Sequence, residues 1–255
     1  MEISEAQINH FNVHGFFFIP NPFGEDGMRE LERIAHEIHE EWKETEWPKE
    51  FNRLACQFLM LGEPILRFVE QPEFVEAGRK ILGCDEIHVG ACGHGDALSV
   101  IAEDDRAVPQ VQWHVDGGPD VKQVAFRTAF DRHDPTNAPL RVLPGSHLRD
   151  RAEVQEELTQ LELATGQYNS PPEMHFAKHP HEVEVILDPR MTLVWTPSTW
   201  HATGVKTAAG PRRAFGWNYF PKGGRKRDTE TVKYMFNKEL EGWTEERKRL
   251  WGIEE

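Results

Sequence analysis

The sequence predicts a mainly β protein in which helices flank an antiparallel sandwich or barrel. Two observations lead there. From Glu86 onward, short apolar runs recur at 86–92, 97–102, 110–115, 122–130, 139–143, 183–187, 191–196, 201–206 and 212–220, punctuated by Gly, Pro, Asn and Asp. Helical periodicity is concentrated before these runs and after them, with one stretch inserted at 155–165, so repeating βαβ units are disfavoured.

Each element has a local cause. Ser4 followed by Glu5, Ala6 and Gln7 reads as a capping box that opens a short helix ending near His14-Gly15. Phe16-Phe17-Phe18-Ile19-Pro20 reads as a buried strand stopped by proline. Over 24–45, Leu31, Ile34, Ile38 and Trp42 recur at helical spacing, with His36 and His39 on the polar face. Residues 51–70 are ambiguous and lean to helix and loop, and 72–82 is a helix ending at Gly83. Gln155 to Thr165 is expected as a helix or lid between strands. The tail closes with helices over 229–241 and 244–251. No internal repeat, low-complexity segment or domain boundary is visible.

Bulk properties narrow the function. The 255 residues include fifteen Phe and eight Trp, enough for a well-buried core and contrary to disorder. The 29 basic and 43 acidic residues give a net charge of −14, which repels phosphate backbones and argues against a nucleic-acid partner. The basic cluster Lys222 to Arg227 is too short to reverse this and reads as a solvated loop. Cys56, Cys84 and Cys92 form an odd set without a CxxC, which fits a reducing compartment. The N-terminus lacks the basic and apolar regions of a signal peptide, and no apolar run approaches the ~18 residues of a membrane span. A soluble, cytoplasmic protein without membrane partners is expected.

One stretch carries the chemistry. In Gln112-Trp113-His114-Val115-Asp116-Gly117-Gly118, a histidine and a carboxylate stand two apart. In a strand both side chains point to one face and reach one metal ion. The best third ligand is His201, in Trp195-Thr196-Pro197-Ser198-Thr199-Trp200-His201. Two histidines and one carboxylate on one face of an ion form the facial triad of non-haem Fe(II) oxygenases. A rival pair, His94-Gly95-Asp96, lies in a glycine-rich stretch that suits a turn or bulge better than a ligand strand. His133-Asp134 are adjacent and face opposite ways in a strand, and His179 and His181 flank Pro180. Both sets read as surface residues.

Downstream lies Asn137-Ala138-Pro139-Leu140-Arg141-Val142-Leu143-Pro144-Gly145-Ser146-His147, and Arg212 follows His201 by eleven residues. With the His-x-Asp pair, this order resembles the phytanoyl-CoA dioxygenase (PhyH-like) family of Fe(II)/2-oxoglutarate oxygenases over roughly residues 10–220. Ala138 stands where that family usually has glycine. The resemblance implies a single PhyH-like domain over 1–255, mainly β with α. Its core would be a double-stranded β-helix (jelly-roll, cupin-like) with N-terminal and C-terminal helices packed on it. It also implies that His114, Asp116 and His201 ligate iron, and that 2-oxoglutarate and O2 are cosubstrates.

Arg212 is the implied partner of the distal 2-oxoglutarate carboxylate, since a guanidinium fork matches a carboxylate with two parallel hydrogen bonds. Strand alternation lets only one of Arg212 and Arg213 face inward, and Arg212 is preferred. Thr203 shares the face of His201 and is assigned to the same cosubstrate. His147 is expected to support the metal strands. Arg141 faces either substrate or solvent.

The implied reaction converts 2-oxoglutarate to succinate and CO2 and oxidises an unactivated C–H of a small-molecule metabolite. The carboxylate of Asp116 argues for hydroxylation, since related halogenases lack it. Desaturation, epimerisation and ring formation stay open, and a CoA thioester does not follow from the family name. Trp113, Phe126, Phe130, Trp195, Trp217 and Tyr219 are expected to be mostly core, with some lining an apolar pocket. The competing readings are a cupin-like metalloenzyme that does not use 2-oxoglutarate and a non-catalytic small-molecule binder on the same scaffold.

Overall fold

The computed structural model describes residues 3–96, 112–118, 120–163 and 177–253. The strand expected at 97–102 lies outside them. The described strands are β1 Phe16–Pro20, β2 Ile87–Asp96, β3 Val124–Ala129, β4 Leu140–Val142, β5 Val183–Val185, β6 Met191–Trp195, β7 His201–Thr203 and β8 Arg213–Pro221. The helices are α1 Glu5–His14, α2 Gly24–Glu44, α3 Arg53–Leu59, α4 Glu63–Val69, α5 Pro72–Leu82, α6 Arg151–Gln160, α7 Thr229–Met235 and α8 Glu245–Leu250. Every described strand pair is antiparallel. The strands form a large sheet, β1-β6-β3-β8-β2, and a small one, β5-β4-β7.

Alternation along the strands sorts the side chains into three cores. Val124 and Phe126 of β3 with Phe215, Trp217 and Tyr219 of β8 form the helix-covered side of the large sheet. There Trp217 packs on Phe68 of α4 and Phe74 of α5 at ring separations of 5.3 and 5.1 Å, and Tyr219 Oη donates to the Val69 carbonyl at 2.6 Å. Between the sheets, Phe16, Ala125, Ala129, Leu193 and Trp195 meet Leu140, Val142, Val185 and Leu187. A third cluster, Trp113, Leu143, Val154, Leu158, Leu163, Trp200 and Ala202, includes residues of α6 and packs on the outer side of the small sheet. Of the six aromatics singled out in the sequence, all are buried within these cores.

The N-terminal expectations hold closely. The Ser4/Gln7 capping box is formed, and Gly15 ends α1 at φ +86°. The ambiguous 51–70 region becomes α3 and α4. Four expectations need correction. The inserted helix begins at Arg151, because Asp150 caps it by accepting from the Ala152 and Glu153 amides. The tail helix stops at Met235, and a 3-10 turn at Leu240–Gly242 follows; this bend lets Phe236 pack against Trp243 at 5.4 Å. The glycine-rich stretch before Asp96 has the expected bulge, at Gly90 between Val89 and Ala91, but is otherwise continuous strand. Glycine is needed there because a Cβ on Gly90 would lie 2.1 Å from the Arg225 carbonyl oxygen. At 112–115 there is a bridge rather than a strand, formed by His114 and His201. Among the described residues, no helix is long and apolar enough to cross a membrane.

Candidate metal centre

His201 opens β7, and the turn before it is held from several sides. The Trp200 amide donates to Ser146 Oγ at 2.8 Å, and the Leu143 amide donates to the Trp200 carbonyl at 2.9 Å. The Pro-Gly-Ser-His turn therefore acts as a clamp on the strand that carries the distal histidine. His147 itself binds the Asn12 carbonyl at 3.1 Å, fastening α1 to the same place. His114 is brought alongside by a reciprocal pair of backbone hydrogen bonds with His201, both 2.9 Å. The Asp116 amide then donates to the Pro197 carbonyl at 2.9 Å, which turns its carboxylate back toward the two imidazoles.

The three side chains converge. One ligand atom from each of His114, Asp116 and His201 lies within 4.8 Å of the others. Asp116 Oδ1 is 3.7 Å from His114 Nε2, and Oδ2 is 3.5 Å from His201 Nε2. Ligands about 2.1 Å from an ion on one octahedral face stand about 3 Å apart, so a small inward movement completes the set. The imidazoles are already oriented. His114 Nδ1 lies 2.6 Å from the Gln112 carbonyl oxygen and His201 Nδ1 lies 2.8 Å from that of Thr199. A carbonyl only accepts, so both Nδ1 atoms carry the proton and both Nε2 lone pairs are free for a metal.

The electrostatics suit a cation. Burial, and then the neighbouring His201, hold the His114 imidazole below its ordinary pKa and keep it neutral. For Asp116, burial works to raise the pKa, but its polar neighbours, His201 foremost, outweigh it and hold the carboxyl below its ordinary range. Two imidazoles and one carboxylate are the donor set that a borderline divalent ion such as Fe(II) takes. Among the described residues this is the one such group of His, Cys, Asp and Glu.

The two adjacent arginines part company. Arg212 is buried and its Nε donates to the Ala138 carbonyl at 2.7 Å. Ala138 takes φ +47°, the left-handed turn that explains the glycine usual at this place. Arg213 instead pairs with both oxygens of Asp131, at 3.0 and 2.8 Å, and with Glu32 at 2.8 Å. Thr203 is half-buried and stands two residues beyond His201 on the same strand face. Arg141 faces neither substrate nor solvent, because its Nε and Nη2 bind Glu182 at 2.8 and 2.5 Å under α6.

Two further expectations fail in an instructive way. His133 and His179 are buried, not at the surface. His179 accepts the His181 amide at Nδ1 and bonds Glu157 through Nε2 at 2.9 Å, so its polarity is consumed in the packing of the small sheet. Burial, followed by the charges of Arg212 and Arg127, drives the His133 imidazole down to about 2, so it is neutral. His94 and Asp96 pair in register with Phe215 and Arg213 on β2.

Sequence reasoning passed over Arg127. The signal was a lone cation in the otherwise apolar run Val124-Ala125-Phe126-Arg127-Thr128-Ala129. It alternates with Ala125 and Ala129, which face the inter-sheet space. Its Nε is sealed from solvent without a hydrogen-bond partner among the described residues. Burial lowers its guanidinium to about 10, partly offset by the Asp116 carboxylate.

Comparison with known proteins places this geometry. No curated protein matches the chain significantly in sequence. Among solved structures, AviO1 from Streptomyces viridochromogenes Tue57 superposes with a TM-score of 0.65 at 16% identity, covering 86% of this chain and 95% of that one. EctD from S. alaskensis with bound Fe gives 0.64 at 16% identity, covering 88% and 79%. HygX from Streptomyces hygroscopicus, with nickel and 2-oxoglutarate bound, gives 0.66 at 13% identity, covering 88% and 90%. These likenesses show a shared fold, the cupin-type double-stranded β-helix with helices on its flanks. A sequence profile described as phytanoyl-CoA dioxygenase (PhyH) matches residues 11–214. With that match over most of its length, the chain belongs to the phytanoyl-CoA dioxygenase (PhyH) family of Fe(II)/2-oxoglutarate-dependent oxygenases.

Proposed function

We propose that the protein hydroxylates an unactivated C–H of a small-molecule metabolite or natural-product intermediate, consuming 2-oxoglutarate and O2 and releasing succinate and CO2. The observation that carries this reading is the convergence of two free Nε2 lone pairs and one ionised carboxylate within 4.8 Å. His114, Asp116 and His201 would hold Fe(II), which when bound would activate O2, the oxidant, chemistry that no side chain supplies.

The chain's own residues do the rest. The carbonyls of Gln112 and Thr199 fix which imidazole nitrogen faces the ion. Asp116 occupies the position that a halide would need, which favours hydroxylation over halogenation. Arg212 takes the distal carboxylate of 2-oxoglutarate, held for that task by the Ala138 carbonyl, and Thr203 lies on the His201 face as a further hydrogen-bonding group. Arg213 serves the fold through Asp131 and Glu32. The net charge of −14 supports a small-molecule partner over a nucleic acid, and three free cysteines agree with a cytoplasmic setting.

The test separates the two arginines. In Arg212→Met, succinate release at limiting 2-oxoglutarate falls at least tenfold, whereas Arg213→Met lowers the thermal midpoint and leaves the KM for 2-oxoglutarate within about twofold. Loss of cosubstrate affinity in Arg213→Met but not in Arg212→Met would overturn the assignment.

A further inference from the structure

On the inner face of the large sheet, β3 and β8 set small residues around one long one. β3 presents Ala125, Arg127 and Ala129 there, and the neighbouring β8 places Gly216 opposite Arg127 and Ala214 opposite Ala129. None of these neighbours sets a side chain longer than a methyl group beside Arg127. The strand beneath it is rigid, because β3 is paired on both sides, with β6 and with β8. A guanidinium there needs an acceptor. Arg141 has Glu182, Arg213 has Asp131 and Glu32, and Arg212 has the Ala138 carbonyl. Arg127 Nε has no partner among the described residues, although it is closed to solvent. A buried guanidinium N–H left without an acceptor is costly and persists where a ligand completes it.

Its surroundings indicate which ligand. Arg127 alternates with Ala125 and Ala129 and so faces the inter-sheet space, across from Leu140 and Val142 of β4; these pair with Thr203 and His201 of β7, and Ala138, which holds Arg212, leads into β4. Arg127 therefore lies in the compartment that runs from the metal ligands to the cosubstrate arginine. The keto acid assigned to that compartment is a dianion, and Arg212 accounts for one of its carboxylates. We infer that Arg127 is a second cationic anchor for 2-oxoglutarate, engaging the carboxylate that Arg212 does not hold. This rests on the oxygenase reading and adds a binding residue to it.

The experiment is an anaerobic titration of the Fe(II)-loaded protein with 2-oxoglutarate, following the weak visible charge-transfer band of the chelate. Wild type, Arg127→Met, Arg127→Lys and Arg212→Met are compared, with the ligand-free thermal midpoint and the Fe(II) affinity measured on each. Arg127→Met is expected to weaken 2-oxoglutarate by about 10- to 100-fold, the range of a charge-assisted hydrogen bond. Arg127→Lys recovers part of that loss. The ligand-free midpoint of Arg127→Met is unchanged or higher, because a buried donor without an acceptor has been removed, and Fe(II) affinity stays within about threefold. A 2-oxoglutarate affinity within twofold of wild type in Arg127→Met would overturn the inference and leave the oxygenase reading standing. Should Arg127→Met not fold, Arg127→Lys decides, since an ammonium cannot reproduce the planar fork: an affinity equal to wild type sinks the inference. A folded, Fe(II)-loaded wild type that gives no band with 2-oxoglutarate overturns both.

Discussion

Replacing Gly15 by alanine tests how the N-terminal strand supports the distal histidine. Gly15 takes φ +86°, its amide donates to the Phe11 carbonyl at 2.7 Å, and its carbonyl accepts the Thr196 amide at 2.8 Å. A Cβ there would stand 2.1 Å from Thr199 Oγ1 and 2.9 Å from His147 Nδ1. Thr199 is the residue whose carbonyl orients His201. The left-handed backbone costs a non-glycine residue about 1–2 kcal/mol, and forcing the overlap costs about 1–3 kcal/mol more. Gly15→Ala should thus destabilise by about 2–5 kcal/mol, or about 4–20 °C in thermal midpoint for a chain of this size. Gly83→Ala is the control, because Gly83 is also left-handed, at φ +63°, with nothing within 4 Å of its Cβ position. The lower unfolded-state entropy of alanine offsets less than about 1 kcal/mol and does so equally in both variants. The assay is thermal unfolding by circular dichroism together with divalent-metal affinity. Gly15→Ala loses both, and Gly83→Ala loses only about 1–2 kcal/mol of stability. Midpoints of the two variants within about 2 °C of each other, or undiminished metal binding in Gly15→Ala, would refute the reasoning.

Other outcomes follow from the same contacts. Arg141→Met leaves Glu182, whose side chain is 5% exposed, without its cation and destabilises by about 3–5 kcal/mol in chemical unfolding; adding Glu182→Leu recovers most of the loss. Asp188 and Glu157 sit below the ordinary carboxylate range, Asp188 chiefly through Arg190 and Glu157 chiefly through Arg149. A carboxylate depressed in the folded state stabilises above its unfolded pKa and loses that contribution as pH falls through the folded value. The thermal midpoint therefore declines below about pH 5, and the decline is shallower in Glu157→Gln. Ser146→Ala removes the acceptor of the Trp200 amide, costing about 1–3 kcal/mol in thermal unfolding and loosening metal binding with it.

Much of this was legible in residue order, for identifiable reasons. The capping box at Ser4, the strand at Phe16–Pro20 and the runs that became β3, β4, β6 and β8 depend on local pattern, and pattern is what a sequence displays. The three metal-ligand candidates were visible because their chemistry is rare and their spacing specific. The side-chain geometry around His114 came from elsewhere: residues 112–115 make a bridge rather than a strand, and backbone bonds to His201 and Pro197 bring the pair into place. The fate of Arg212 and Arg213 depended on strand register, which a one-residue slip inverts. His133 and His179 read as polar surface residues, yet both are buried, because the Leu187 bridge and the Glu157 bond are contacts distant in sequence. Arg127 was hidden for the opposite reason, being one polar letter in an apolar strand whose neighbours on the sheet decide which way it faces.

The most direct test of the account is anomalous diffraction from crystals grown anaerobically with Fe(II) and 2-oxoglutarate. The account predicts one iron peak about 2.1 Å from His114 Nε2, His201 Nε2 and an Asp116 carboxylate oxygen, with keto-acid density running from it to Arg212. An iron peak at any other set of residues, or keto-acid density that avoids the Arg212 guanidinium, would contradict it.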